Sequence, residues 1–523
     1  MKRIGILLVV TFITVGTFAL QGGGKKTTKN KAVAVAQKVD STAMILEQAK
    51  QGNASAQNIV GSWYYAGKDT IKQDYKEAYK WWALAAKQDH ALAIGNMALC
   101  CQLGHGTKKD SVLAVNLYEQ SIKKGNDKLI PQHEKNVEKT GSVFSCLLLH
   151  ECYQKGIGVK KDQTKAATYL EKAAEKGHLD SQYSTALYYY NTKQYEKAAK
   201  WFKEAAKQKH IGATYNYGFM TYNGQGVKQN REEGLKLLKI AANKDFTMAN
   251  YQLGRIYLEG DGIEKDAKTA VPYLQKAAFQ NNINAKWLLS QCYLKGEGVS
   301  QSYYFGTQWL ADSYIAHKKE LNELLAADNN GTYSTYLSGL RKYYVEKDYT
   351  AAAADFSKVE KAKIVDGTTM LGVCYANKEN AKCNEKKAVK LLQKASENSP
   401  AAAYYLSSMY ETGTGVAQDG AKALELLKKA ADAGVAYAQC KLGDQYFTGN
   451  GVSKDLTKAA LLYLDAEAQN HLTPASAKNL AKCYEQEVKI LPDLVDASKR
   501  IEALGKQKVN GNLVSMLKKL EEK

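Results

Sequence analysis

The residues that could carry chemistry in this 523-residue chain are nine cysteines, eight histidines and a few motif-like runs. His150-Glu151-Cys152-Tyr153-Gln154 begins like a zinc-protease helix, but the second histidine that would complete the metal pair is missing. Gly104-His105-Gly106-Thr107-Lys108 resembles a phosphate loop, yet it lacks the spacing and the strand that should precede it. His90, His178, His210 and His471 recur just past what read as helix C-termini, where imidazole suits the helix dipole. Spread along a chain in this way, they do not form a metal cage. No Ser/His/Asp set or carboxylate pair has catalytic spacing, so we expect no catalytic residue, no metal and no cofactor.

The cysteines read as packing residues. Counting from the glycine of a recurring Leu-Gly-x-x-Tyr, the position two residues on holds Cys100, Cys152, Cys292, Cys374 and Cys483. In other copies Trp63, Met220, Ile256 and Met409 fill it, so it is a core slot. Equivalent slots in stacked copies lie too far apart for a disulfide. Cys374 and Cys383 are the one pair placed to bridge.

A more suggestive series stands three residues before that glycine: Tyr215, Tyr251, Trp287 and Tyr404. One residue after it come Phe219, Arg255 and Gln291. On a helical wheel these positions turn away from the Leu/Gly/Tyr face. Aromatic residues and arginine dominate binding hot spots, so these seven residues could line a groove that grips a peptide or helix. The alternative is that they pack first helix against first helix.

These residues sit on a repeat. Tyr251 to Asp266 and Lys441 to Asp455 both run through Leu-Gly-x-x-Tyr, Gly-x-Gly-Ile/Val and Lys-Asp. The second loop glycine falls at Gly226, Gly262 and Gly298, 36 residues apart, and again at Gly415 and Gly451. Gly106 and Gly158 mark two more copies, separated by an insertion around Asn126 to Thr140. Copies near 54–90, 180–210, 332–364 and 366–398 have shortened or degenerate loops, giving about eleven in all. A glycine closes the first helix because a left-handed residue is needed there. Asp110, Asp162, Asp266 and Asp455 stand where an N-cap of the second helix belongs. Small pairs such as Ala173-Ala174, Ala277-Ala278 and Ala430-Ala431 end the second helices and allow close packing.

This pattern resembles the Sel-one-like repeat family, a relative of the tetratricopeptide repeat with a longer glycine-containing loop, over most of residues 50–485. The resemblance implies an all-α, right-handed α-solenoid with first helices along its concave side. It also implies scaffold or adaptor roles in protein assemblies. Residues 184–210 and 331–364 depart toward the shorter tetratricopeptide form.

The expected division is a signal peptide at 1–20, a tether at 21–44, repeat arrays at 45–326 and 332–485 joined at Asn329-Asn330-Gly331, and capping helices at 486–523. Lys2 and Arg3, the apolar Ile4 to Leu20 and the small Thr17-Phe18-Ala19 form an export-signal pattern. The chain is therefore expected in the periplasm or secreted, with an uncleaved N-terminal anchor as the alternative. The first cysteine is Cys100, which excludes a lipoprotein anchor, and no later segment could span a membrane.

The net charge is +20, but only five of the 73 basic residues are arginine. Arginine dominates base readout, so the composition argues against a sequence-specific nucleic-acid partner. It leaves room for weak attraction to anionic surfaces. The expected function is a non-enzymatic scaffold that binds a protein or peptide. The alternatives are a glycan-binding module using the Tyr/Trp series, or a cell-wall hydrolase on a repeat frame. Segments 126–143, 315–332 and 486–523 are the only irregular ones, and none is long enough for a catalytic domain.

Overall fold

A computed structural model describes residues 42–68, 71–469, 471–487 and 516–517. The expected signal peptide, nearly all of the tether and most of the 486–523 segment lie outside the described residues. Among the described residues every regular element is helical, and consecutive helices pack in pairs. The architecture is the α-solenoid of stacked helix pairs that the repeat predicts. The chain divides into two compact units, residues 1–185 and 186–523. No helix among the described residues is long and apolar enough to cross a membrane.

The local signals act as read. Asp110, Asp162, Asp266 and Asp455 each accept a bond at 2.9–3.0 Å from the backbone N–H three residues on. Ser399 and Thr473 cap the two proline-initiated helices in the same way, through Ala402 and Ser476. These bonds satisfy donors that have no partner within the helix. First helices such as Thr247–Glu259 end on a left-handed glycine, here Gly260. The small pairs are buried to within 2% exposure at 173–174, 277–278 and 430–431.

The second loop glycine has a role the sequence does not display. Its φ is also positive, and at Gly106, Gly226, Gly262, Gly298 and Gly415 its Cα faces the first residue of the second helix one repeat earlier. A methyl group there would sit 2.0 Å from the Tyr75 carbonyl oxygen at Gly106, and 2.3 Å from the Ala267 oxygen at Gly298. Real side-chain carbons do not approach so closely, so the loop docks only as glycine.

The structure gives the histidines a second role. The backbone N–H groups of His90 and His210 close the preceding helices on the Ala85 and Ala205 oxygens at 3.2 Å, and their side chains also N-cap the following ones, the Nδ1 atoms accepting from Ala93 and Ala213. The His178 Nδ1 likewise accepts from the Ser181 N–H. The turn is too short to separate the two roles. Asp89 and Lys209 take the left-handed position instead, and the next residue already caps. Accepting requires a neutral ring, and burial lowers the His90 pKa.

The insertion after Asn126 forms a helix, Leu129–Thr140, which buries His133 against Tyr118 and Phe144. The 315–332 segment likewise holds a helix, Lys318–Ala326. The pair Thr332–Arg341 and Tyr349–Lys361 is joined by a π-turn at Lys342–Glu346 without the Gly-x-Gly loop. One hydrophobic core runs from Leu294 to Leu442, through the Asn329-Asn330-Gly331 segment.

Candidate partner-binding face

All seven residues of the suspected groove lie in the 186–523 unit. Tyr215, Tyr251, Trp287 and Tyr404 occupy the fifth position of four first helices: Ile211–Asn223, Thr247–Glu259, Ile283–Lys295 and Pro400–Thr412. Three of these helices begin on a side-chain cap, at His210, Asn282 and Ser399; the helix of Tyr251 begins at Phe246 without one. All four are half-buried.

Three of these rings rest on the residue that enters the next first helix or stands at a corresponding turn. Tyr215 lies 5.2 Å from Phe246, centroid to centroid. Trp287 stacks on His317 at 5.0 Å and 15°. Tyr404 stacks on Tyr437 at 6.4 Å, and Tyr437 continues to His471 at 5.8 Å. The series therefore helps to stack repeats while part of each ring stays open to solvent. Burial raises the Tyr215 hydroxyl to about 12 and shifts Tyr251 and Tyr404 upward as well, so all three remain protonated donors.

The companion slots differ among themselves. Phe219 stacks beside Tyr215 at 6.2 Å. Arg255 is tied by Glu259 at 2.6 Å and Asp261 at 3.6 Å, so its charge is already balanced. The Gln291 amide donates to Ser290 Oγ at 3.4 Å. Of the seven, the aromatic rings offer more uncommitted surface than the polar pair.

The cysteine slot is buried throughout. Burial pushes the thiols of Cys100, Cys152 and Cys374 up to about 12 and Cys292 to about 11, which suppresses thiolate chemistry. Cys374 is buried, Cys383 is exposed, and both carry free thiols. Among the described residues no three His, Cys, Asp or Glu side chains converge as a metal group would require.

Sequence reasoning missed a set of polar groups buried between repeats. The Asp366 carboxylate accepts from Ser302 Oγ at 2.9 Å, from the Tyr304 N–H at 3.1 Å and from Ser399 Oγ at 3.4 Å. Desolvation nonetheless raises its pKa. Tyr304, Tyr336, Tyr344 and Tyr405 lie nearby with buried hydroxyls, all shifted upward by burial. The adjacent pairs Tyr343-Tyr344 and Tyr404-Tyr405 were the available signal: each puts a ring outside a single helical face.

The Sel1 repeat family model matches this chain at ten segments: 54–90, 91–126, 146–178, 180–210, 211–246, 247–282, 283–311, 366–399, 400–435 and 436–471. Protein sel-1 homolog 2 of Mus musculus is 38% identical over 82 residues, which cover 16% of this chain and 12% of that protein. Among solved structures, c5321, a protective antigen present in uropathogenic Escherichia coli strains and displaying an SLR fold, is 23% identical. That alignment covers 92% of this chain and 97% of the other, with a TM-score of 0.36. A Sel1 repeat protein from Oxalobacter formigenes is 20% identical, covering 77% and 89%, with a TM-score of 0.32.

Proposed function

This chain belongs to the Sel1 repeat family, whose members generally act as protein–protein interaction scaffolds, and from that premise we propose that it is an exported, non-enzymatic scaffold gripping a protein or peptide along its first-helix face. The observation that carries the reading is the half-open aromatic ring at one fixed helix position in four repeats. Such rings give large contact area at low entropic cost, which is what binding hot spots require. The export signal pattern at 1–20 supports a periplasmic or secreted location. The buried, high-pKa thiols fit a binding protein better than a hydrolase that uses a thiolate. The expected arrays, 45–326 and 332–485, remain the proposed division of the binding frame.

The test begins with photo-crosslinking residues placed at Tyr251 and Trp287, and at Lys236 on a second helix as control. The captured partner is then titrated against the wild type and the Tyr251→Ala, Trp287→Ala double variant. We expect crosslinks at the first two positions and an affinity loss of about 10-fold or more with unchanged helicity. Unchanged affinity in a folded double variant would remove the aromatic face from the interface. A glycan array run alongside separates protein recognition from sugar recognition, which the same rings could serve.

A further inference from the structure

Within the 186–523 unit, repeats distant in sequence meet: helix Ala267–Phe279 touches Leu456–Ala468. Next to this contact is a cavity of about 310 Å³, part of it open solvent. Helix Tyr303–Ser313 lines it with Tyr304, Phe305, Gln308 and Trp309, and the Trp309 ring meets Phe279 at 5.6 Å. The turns at 434–436 and 469–471, several repeats later, supply the rest, including Gln469 and His471. His471 also ends the ring series that runs from Tyr404 through Tyr437, so the cavity continues the proposed binding face. Its size is at the low end of ligand sites, which suits one flat side chain better than a whole small molecule.

The polar groups in its walls are acceptors. The Gln308 Oε1 atom is enclosed with no hydrogen-bond donor. Its amide turns easily about the last side-chain bond, so a donor entering the cavity can meet it. The Gln469 Nε2 donates to Gln439 Oε1 at 2.9 Å and to the Asp465 carbonyl at 3.2 Å, which leaves its side-chain oxygen to accept. The His471 Nδ1 faces the Gln469 carbonyl oxygen, which only accepts, so Nδ1 carries the proton and Nε2 of the neutral ring is an acceptor. Among the described residues no lysine or arginine lines the cavity, in a chain with 73 of them. Asp465 stands one helical turn before Gln469, and desolvation alone shifts its carboxyl upward, with no cation holding it down.

We propose that this cavity anchors an arginine side chain of the protein partner. This deepens the scaffold reading and rests on it. A guanidinium is flat, stacks on aromatic rings and carries five donors in a fixed fork, which matches rings surrounded by unmet acceptors beside an unbalanced acid. A lysine ammonium is a compact, strongly hydrated point charge and fits this geometry less well.

The experiment titrates the full chain with N-acetylarginine amide at low salt, read by ligand-observed NMR. The lysine, tyrosine and citrulline amides and a simple glycoside serve as comparators; citrulline keeps the flat shape of arginine without the charge. We expect the arginine amide to bind at least about 5-fold tighter than each of them. Gln308→Leu and Asp465→Asn should each weaken it about 3-fold or more, while the urea midpoint of Gln308→Leu stays level or rises, because an unmet buried acceptor is removed. Citrulline, tyrosine or the glycoside binding as well as arginine would overturn the proposal, and so would an unchanged arginine affinity in Gln308→Leu. This arm needs no partner, so its failure belongs to the cavity and leaves the scaffold reading standing. The partner captured by crosslinking is then titrated against Gln308→Leu, where unchanged affinity would also overturn the anchor. Weaker binding there, with full affinity retained by the Tyr251→Ala, Trp287→Ala variant, would sustain the anchor while rejecting the aromatic face.

Discussion

Residues 211–302 and 303–399 are neighbouring stretches of one repeat protein that hold their helices in register by different means. In the first, backbone meets backbone: the loop glycines Gly226 and Gly298 dock on Tyr195 and Ala267 of the preceding repeat. Among the described residues, no carboxylate there is buried. In the second, the Gly-x-Gly loop is lost and buried acids take over. Asp312 pairs with Lys286, both side chains at most 3% exposed. Asp355 meets Lys342 at 2.5 Å, Ser338 at 2.8 Å and Lys358 at 3.3 Å. Asp366 reaches back more than sixty residues to Ser302 and Tyr304. The regular stretch is held chiefly by its nearest neighbours, as in a quasi-one-dimensional array, although its helix Ala267–Phe279 also touches Leu456–Ala468. The degenerate stretch adds, through Asp366, partners that no nearest-neighbour rule supplies.

The sharpest way to break this contrast is to cut a polar lock. Asp312→Ala leaves the Lys286 ammonium buried with only Asn281 Oδ1 at 2.9 Å. It should cost about 3–5 kcal/mol, seen as a lowered urea midpoint. A cost below about 1 kcal/mol would mean the lysine escapes to water and the lock is dispensable.

Next comes the backbone dock. Gly298→Ala combines a positive φ with a methyl 2.3 Å from a carbonyl oxygen and should destabilise by about 3 kcal/mol. Gly451→Ala has nearly the same φ, +73° against +76°, but nothing within 4 Å. It should cost only about 1 kcal/mol, the conformational term alone. Equal costs for the two would show that φ, not docking, fixes the second glycine.

The smallest effect concerns pH. The folded pKa of Asp366 lies above its unfolded value, so the folded state holds that proton more tightly. The associated stability is fully present below the unfolded carboxylate pKa and is lost as pH rises through the raised folded value. Asp355 runs the other way: its pKa is lowered, and its contribution disappears as pH falls through that folded value. Asp366→Asn should change stability by about 1 kcal/mol or less at neutral pH. It should also remove the decline on the rising side from denaturation curves taken across the acid range. A curve for the variant that overlays the wild type would exclude Asp366 as the source.

Much of the fold was legible because the repeat states its own rules. The Asp caps, the closing glycines, the small pairs and the buried cysteine slot each follow from local geometry and recur where the 36-residue spacing puts them. The histidines were only half legible, because one residue can end one helix through its backbone and begin the next through its side chain, and only the observed acceptor atom shows the second role. The aromatic positions could be located from the wheel, but not their neighbours: that Trp287 meets His317 and Tyr404 meets Tyr437 depends on how successive turns stack.

By itself the sequence determined the helix pair, its period and the residues that cap and close it, since those depend on interactions within a few residues. Tertiary structure alone decided which loop glycine faces a carbonyl one repeat away, which acids are buried against which donors, and where Met516 and Leu517 are enclosed. The reason is separation: a cap bonds three residues on and leaves a readable spacing, whereas a contact across many tens of residues leaves no period to read.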